Sequence, residues 1–391
     1  MQMKFRELFI LRPVGAAVMK FVDISLVGAA TTAGVVALGV LYLQRRRRLA
    51  NMEPPLPDFV GDPADPAAPK PGTAPIMTGY PASWSFAVCG VMKMLRAGID
   101  GGLFDDDKVE ARLADFEKDG AAGLVTIYAQ TRAALDGYAE KTDGWGCTHE
   151  EAVVGGVPCL WTSWPGTQPG AAPILWLHGG AFTVHSYTSY KAFAARLSKA
   201  TSRRVCVPNY RLAPEHAHPA QLDDADRVWS EMGNGCGLGG DSAGGALALA
   251  LMQRLVAQKR PTPPGAVLMA PWCDLSLTAA SYAANHACDS VTRNMLRVGA
   301  RVYSGALDPS THPGVSPLLG DMAGLPPLLI QVGSCDALLD DSLALAQRVK
   351  AAGGTVTLDV AHAMPHVYAM IAAVCPRGQQ AFEDAARVLT Q

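Results

Sequence analysis

The serine at position 242 lies in a pattern of residue types that suits nucleophilic catalysis. It belongs to the stretch Gly240-Asp241-Ser242-Ala243-Gly244, a G-x-S-x-G pattern followed by a long run of small and apolar residues. This pattern is typical of a sharp strand-to-helix turn, in which small neighbours let the serine Oγ stand clear of the sheet. The N-terminus of the following helix would also favour negative charge. Ser242 is therefore a candidate nucleophile, and a glycine-rich turn without catalytic function is the alternative.

A serine hydroxyl is a weak nucleophile unless a base removes its proton and a carboxylate orients that base. Asp336 follows an apolar run at residues 328–332, and His366 follows another at residues 356–360. Both would lie in loops where strands end, and their order along the chain after Ser242 is the one used by α/β-hydrolases. We predict Asp336 as the acid and His366 as the base.

Three neighbouring residues are alternatives for these two roles. His362 is a rival base, but Pro365 marks the end of a loop directly before His366, which favours His366. Asp340 and Asp341 precede a helical pattern, so we predict that they lie in the first turn of a helix.

The stretch His178-Gly179-Gly180-Ala181 directly follows a short apolar run and suits an oxyanion hole. Small residues allow the main chain to approach a substrate carbonyl. We assign Gly179, Gly180 and Ala181 to this hole together with Ala243, and expect the N–H groups of Gly180, Ala181 and Ala243 to be the donors. His178 precedes the serine in the chain and is expected to shape the loop.

Short apolar runs alternate with helical patterns from residue 173 onward, after a predicted edge hairpin at residues 150–164. This alternation predicts an α/β fold with a mostly parallel central sheet and helices on both faces. The strand candidates are residues 174–177, 205–207, 266–269, 328–332 and 356–360, and the helix candidates are residues 189–199, 222–232, 243–258, 291–303, 342–352 and 366–374.

The chain resembles the hormone-sensitive-lipase-like family of α/β-hydrolases, which includes arylacetamide deacetylases and carboxylesterases. The resemblance covers about residues 149–391. Its motifs are HGGAF at 178–182, NYRLAPEHAHPAQLDDA at 209–225, GDSAGG at 240–245, APWCDLS at 270–276, SPLLGDMAGLPPLLIQVGSCDALLDDS at 316–342 and MPH at 364–366.

The resemblance implies an α/β-hydrolase fold with Ser242, Asp336 and His366 as nucleophile, acid and base. It also implies that Glu215 supports the region near the serine. A helical cap over the pocket is expected from about residues 80–138 and 274–312.

Two positions depart from the family pattern. Ala181 stands where the family usually has a third glycine, so we expect a negative φ there. Residues 231–239, EMGNGCGLG, precede Ser242 where an apolar strand is expected. Because glycine and asparagine are poor strand residues, this strand should be short or weak.

Composition limits the classes of function. The net charge of -2 gives no argument for nucleic-acid binding. The nine cysteines are dispersed without a zinc-type spacing, which favours reduced, buried thiols, although one disulfide is compatible with the pattern.

The N-terminal region predicts a membrane anchor. Residues 24–43 form twenty consecutive uncharged positions, about enough to cross a bilayer, after a flank at residues 1–23. A signal or targeting peptide and a buried helix are the alternatives. Arg45 to Arg48 and a Pro-rich stretch make residues 44–79 a predicted linker to a hydrolase domain at residues 80–391.

These features predict a single-pass protein of the endoplasmic reticulum or another internal membrane. The dense arginines favour a cytosolic over a lumenal hydrolase domain.

The sequence thus predicts a serine hydrolase that cleaves carboxylic esters through an acyl-enzyme, acting on a small-molecule or lipid ester. The chemistry needs neither a metal nor an organic cofactor. A non-catalytic hydrolase-fold receptor is the alternative from another class, and a membrane scaffold with a decayed site is the third.

Overall fold

A central sheet of nine strands organises the chain. The computed structural model describes residues 58–65, 67–72, 81, 88–90, 92–93, 106–120, 122–140 and 146–391. The strands are β1 (Phe59–Gly61), β2 (Thr148–Val154), β3 (Val157–Ser163), β4 (Ile174–Leu177), β5 (Val205–Pro208), β6 (Gly237–Asp241), β7 (Ala266–Met269), β8 (Leu328–Gly333) and β9 (Val356–Ala361).

The sheet order is β1-β9-β8-β7-β6-β4-β5-β3-β2. Strands β4 to β9 pair in parallel, whereas β2, β3 and β1 extend the two edges in antiparallel pairs. All residues of β4, β5, β6, β7 and β8 are buried, as expected when helices cover both faces of a parallel sheet.

Nine α-helices with fully described bounds accompany these strands. They are α1 (Asp106–Asp119), α2 (Ala122–Glu140), α3 (Lys191–Thr201), α4 (Ala220–Met232), α5 (Ala243–Ala257), α6 (Ser281–Ala284), α7 (Arg293–Ser304), α8 (Leu339–Ala351) and α9 (Pro376–Leu389). Helices α3 and α9 meet at Phe193 and Phe382, whose ring centroids are 4.9 Å apart. Phe193 also contacts Trp176 of β4, which places this helix pair on one face of the sheet.

The strands and the edge hairpin predicted from the sequence are confirmed, and β4 and β7 have the predicted bounds. The helix predicted at residues 366–374 is wrong. That region contains only a 3₁₀ turn at Tyr368–Ile371, preceded by Val367 at a φ of 42°. The last helix instead begins at Pro376, a residue that suits the first helical position.

The strand before Ser242 forms despite its glycines. A Cβ at Gly239 would lie 2.7 Å from Trp176 Cε3 and closer still to Cζ3. On the other face of the strand, a Cβ at Gly240 would lie 2.5 Å from the carbonyl carbon of Gly244 in α5. Glycine is required because a helix backbone and a large indole approach this strand closely. The strand that was expected to be short or weak spans five buried residues and pairs on both sides, with β4 and with β7.

Helices of the two segments predicted as a cap contact each other. Arg297 of α7 forms an ion pair of 2.6 Å with Glu110 of α1. Arg301 of α7 lies over the ring of Phe116 in α1, 5.2 Å from its centroid.

A short strand lies inside the stretch predicted as a linker. Strand β1 pairs with β9 at the sheet edge, with Phe59 opposite Val360 and Gly61 opposite Leu358. Asp58 accepts a hydrogen bond of 2.6 Å from the backbone N–H of His362. Part of the stretch is thus attached to the hydrolase domain.

The predicted membrane span at residues 24–43 and its flank at residues 1–23 lie outside the described residues. Within the ranges that are described, no helix combines the length and the apolar character that crossing a membrane requires.

Candidate active site

Ser242 lies in a strained turn between β6 and α5. Its φ of 54° and ψ of −124° are uncommon for a residue with a side chain, and such conformations cost about 1–3 kcal/mol. Hydrogen bonds hold the backbone on both sides: the N–H of Ser242 donates to Met269 O at 2.9 Å, and the N–H of Trp272 donates to Ser242 O at 3.0 Å.

The hydroxyl of Ser242 does not cap its own helix. A serine at this position normally accepts a hydrogen bond from the first turn, but no side-chain cap bond forms here. The hydroxyl is therefore not engaged with the first turn of α5, which agrees with the nucleophile predicted from the sequence.

Asp241 lies directly behind the serine and was not predicted as a site residue. Its carboxylate is buried and accepts hydrogen bonds from Tyr190 Oη at 2.6 Å and Trp176 Nε1 at 2.9 Å. Burial raises the pKa of Asp241 to about 6, although these two hydrogen bonds oppose the shift. Its position within GDSAGG could have indicated its importance.

The loop after β4 packs against the serine. A Cβ at Gly179 would lie 3.1 Å from Ser242 Cβ and 2.5 Å from Asp241 Oδ2, so only glycine fits. The N–H of Gly179 donates to Tyr190 Oη at 2.8 Å. Gly179 therefore brings the loop close to the serine, but its N–H is already used, which differs from its assignment to the oxyanion hole.

Gly180 and Ala181 carry backbone N–H groups with no acceptor among the described residues. Gly180 has a φ of 114°, and Ala181 has a φ of 51°. The negative φ expected at Ala181 is therefore wrong. A left-handed conformation costs a residue with a side chain about 1–2 kcal/mol. Its methyl group faces Gly299 of α7, where an added Cβ would lie 3.1 Å from Ala181 Cβ.

His178 is fully buried at the start of this loop. Its ring stacks on Tyr210 at a centroid distance of 4.2 Å, and Nδ1 donates to Gly179 O at 2.7 Å. Burial lowers the pKa of His178 to about 3, so its imidazole is neutral. These contacts agree with a role in shaping the loop.

Asp336 and His366 lie together at the exits of β8 and β9. His366 Nδ1 lies 3.0 Å from Oδ1 and 3.2 Å from Oδ2 of Asp336, and a carboxylate can only accept, so Nδ1–H donates. The N–H of Leu338 also donates to Asp336 Oδ1 at 2.8 Å. This pairing fixes the tautomer of His366 that leaves Nε2 free to accept a proton.

Three carboxyl groups act on His366. Burial alone would lower its pKa, but the charge and hydrogen bond of Asp336, with the charges of Asp289 and Asp241, outweigh burial and raise that pKa to about 9. One of these charges, Asp241, belongs to the residue directly before Ser242.

The rival residues lie elsewhere. The backbone of His362 is bound to Asp58 at the sheet edge. Asp340 and Asp341 are in the first turn of α8, as predicted. Asp341 Oδ2 accepts the N–H groups of Cys273 at 2.9 Å and Asp274 at 2.8 Å, so it supports the segment after β7.

Glu215 contacts the cap. It forms a two-pronged ion pair with Arg132 of α2, at 2.7 Å and 2.9 Å. Arg132 also donates to Thr183 O at 2.7 Å and Ala213 O at 2.8 Å. Arg132 thus joins helix α2 to the loop after β4 and to Glu215, and this arginine was not predicted from the sequence.

Asp289 also lies beside Asp336 and His366 and was not predicted from the sequence. One polar atom from each of Asp289, Asp336 and His366 lies within 4.8 Å of the others. Such spacing can hold a metal ion, but His366 Nδ1 carries a proton donated to Asp336, and both carboxylates accept backbone N–H groups. We therefore interpret the group as an acid–base cluster.

Comparisons with known proteins agree with this fold and site. A family model described as alpha/beta hydrolase fold matches residues 174–370. An acetyl-hydrolase of Streptomyces hygroscopicus is 37% identical over 267 residues, which cover 66% of this chain and 88% of that protein. An esterase of Acinetobacter venetianus is 35% identical over 225 residues, covering 56% of this chain and 74% of that protein.

Among solved structures, an esterase of the bacterial hormone-sensitive lipase family is similar to 66% of this chain and 90% of its own. Its sequence identity is 33% and the TM-score is 0.63. The chain belongs to the hormone-sensitive-lipase-like α/β-hydrolases. It is a carboxylic ester hydrolase. The prediction of an enzyme is confirmed, and the receptor and scaffold alternatives are not favoured.

The predicted localisation requires correction. No helix of the described residues can cross a membrane, and the similar proteins are bacterial hydrolases matched over the catalytic region. The expectation of a single-pass protein of the endoplasmic reticulum or another internal membrane is therefore wrong. The apolar run on which it rested is rich in alanine, glycine and threonine, which makes it only moderately hydrophobic.

Proposed function

We propose that this hydrolase cleaves small carboxylic esters through an acyl-enzyme formed on Ser242. The observation that carries the proposal is the strained turn of Ser242, with Gly179 packed against its Cβ and the hydroxyl not used as a helix cap. A turn that costs energy persists when the surrounding structure holds it, and such strain occurs often at reactive residues.

In the proposed mechanism, His366 Nε2 removes the proton of Ser242 as Oγ attacks the ester carbonyl. Asp336 keeps the other nitrogen protonated and stabilises the positive imidazolium. The N–H groups of Gly180 and Ala181, with that of Ala243 at the start of α5, stabilise the oxyanion. His366 then gives its proton to the leaving alcohol and activates a water molecule that releases the acid.

The substrate class follows from two sources. The charged groups near His366 are carboxylates that interact with its imidazole, so none of them is a positive group that would bind an acidic acyl chain. An uncharged acyl group therefore suits this site. The Streptomyces relative is named an acetyl-hydrolase, which supports short acyl groups. Ala181 faces Gly299 of α7, and the rings of Phe182 and Tyr303 stack with their centroids 3.8 Å apart. Helix α7 therefore packs directly against the oxyanion loop.

The test combines hydrolysis of p-nitrophenyl acetate with labelling by a fluorophosphonate probe. Wild type should hydrolyse the ester and carry the label, whereas Ser242→Ala should lose both. Ser276→Ala, in an exposed hydrogen bond with Thr278, is the matched control and should keep both. A folded Ser242→Ala variant that retains more than a small fraction of the activity would refute the assignment of the nucleophile.

A further inference from the structure

The cap segment directly before α7 packs against the loop that carries the predicted acid. We call residues 281–290 the brace segment. Ser281 Oγ donates to Ala337 O at 2.8 Å, and the side-chain amide of Asn285 donates to Asp336 O at 2.8 Å. Ser281 and Asn285 are fully buried. Buried polar contacts of this kind fix a single arrangement of the groups that they join.

Asp289, in the brace segment, joins both catalytic loops. Its Oδ2 accepts the N–H of Ala337, next to the predicted acid, at 2.7 Å. Its Oδ1 accepts the N–H of His366 at 2.9 Å and that of Ser290 at 2.7 Å. Because the side chain is fully buried, water cannot substitute for these bonds without opening the site.

We propose that Asp289 is a positioning residue that sets both the place and the proton affinity of the base His366. The proposal rests on the proposed triad of Ser242, His366 and Asp336. By binding the backbone of His366 and of Ala337 through one carboxylate, Asp289 fixes the distance between the acid loop and the base loop. By its negative charge, it favours the protonated imidazolium that forms during each proton transfer.

The electrostatic setting of Asp289 agrees with this role. Burial, together with the negative charge of Asp336, raises the pKa of Asp289 to about 7, while the charge of His366 and the backbone N–H groups lower it. The charged groups that face His366 are Asp336 from the loop after β8, Asp289 from the brace segment and Asp241 from the serine turn. Only Asp289 among these three also holds the backbone of His366.

The test is the pH profile of kcat/KM for Asp289→Asn. Removing the charge should lower the pKa of the base, so the acid limb of the profile should move to lower pH by about one unit or more. The plateau of kcat should fall by about 10- to 100-fold because the base loop is less well placed, with little change in KM. Asp289→Glu keeps the charge, so it should keep the wild-type limb while lowering kcat.

Asp341→Asn is the matched control. Asp341 is also a buried carboxyl group that accepts two backbone N–H bonds. Its partners are the backbone of Cys273 and Asp274 and the hydroxyl of Tyr282 in the brace segment, so its replacement weakens the support of the brace segment without removing a bond to His366. Its replacement should lower thermal stability and leave the acid limb in place. A limb that stays at the wild-type pH in Asp289→Asn, or that moves equally in Asp341→Asn, would overturn the proposal.

Two further measurements keep the result interpretable. If Asp289→Asn does not fold, Asp289→Ser removes the charge with a smaller side chain and serves the same test. If neither folds, the downfield proton signal of His366 Nδ1–H in the wild type is followed with pH. Titration of that signal in a single step, without any response to a second ionising group, would overturn the proposal. An inactive, unlabelled wild type would instead refute the proposed function itself.

Discussion

Replacement of Gly239 by alanine tests whether packing shapes strand β6, which leads to Ser242. The new Cβ would lie 2.7 Å from Trp176 Cε3 and 3.0 Å from Val267 O, so the indole must move. Overpacking of this kind costs about 1–3 kcal/mol. Movement of Trp176 would also weaken the bond of 2.9 Å that its Nε1 donates to Asp241, and hydrogen bonds to charged groups contribute about 1.5–3 kcal/mol.

Alanine has a lower backbone entropy than glycine in the unfolded chain, which offsets about 0.5–1 kcal/mol of these losses. Gly239→Ala should therefore lower the free energy of unfolding by about 2–5 kcal/mol. At about 2 °C per kcal/mol for a domain of this size, the melting temperature should fall by about 4–10 °C. Differential scanning calorimetry measures this change, and ester hydrolysis should fall with it because Asp241 lies behind Ser242. Gly137→Ala, where an added Cβ meets nothing within 4 Å, is the control and should be neutral or slightly stabilising.

A double-mutant cycle with Trp176→Phe identifies the cause. The smaller ring should make room for the methyl group, so the double variant should be more stable than the sum of the single changes by about 1 kcal/mol or more. The packing explanation would be refuted if the two substitutions lowered the free energy of unfolding additively. It would also be refuted if Gly239→Ala alone changed that free energy by less than about 0.5 kcal/mol.

Four other predictions, one on the wild type and three on substitutions, give distinct outcomes. The kcat/KM of the wild type should rise with pH through an apparent pKa of about 9, because His366 must be neutral to act as the base and its pKa is raised to about 9. Stopped-flow hydrolysis measures this profile. A kcat/KM that stays constant from about pH 6 to 9 would contradict the prediction. Asp336→Asn should lower kcat by roughly 10⁴-fold because His366 loses the group that fixes its tautomer, with circular dichroism unchanged; an activity within 10-fold of wild type would contradict the assignment. Ala181→Gly should raise the free energy of unfolding by up to about 1 kcal/mol in urea, since glycine adopts a positive φ without strain, and a loss of stability would count against strain at this position. Arg132→Ala should lower thermal stability and raise KM, because Glu215 and two loop carbonyls lose their link to α2; an unchanged KM would show that α2 does not shape the pocket.

The sequence predicted the elements whose signal is local. Strands β4 and β7 are four-residue apolar runs bounded by polar or turn residues, and both have the predicted bounds. Asp336 and His366 were found from the order of residue types along the chain, and they lie within hydrogen-bonding distance.

The features that were missed depend on contacts between distant parts of the chain. Strand β6 is composed largely of glycine because Trp176 and the backbone of α5 approach it, and strand propensity contains no information about such neighbours. The positive φ at Ala181 is tolerated where its methyl group meets Gly299, more than a hundred positions further along the chain. Asp289 lies in no recognised pattern, and only the folded chain brings it to His366.

Mass spectrometry of acid-quenched reactions tests the proposed acyl-enzyme most directly. The wild type is mixed with p-nitrophenyl acetate, quenched within the first turnovers, digested and analysed for an acetyl group. We expect acetylation of the peptide that contains Ser242. The acetyl group should increase in step with the initial burst of nitrophenol and be absent from Ser242→Ala. Ester hydrolysis by the wild type with no acetyl group on Ser242 at any quench time, or with the acetyl group on another residue, would contradict it.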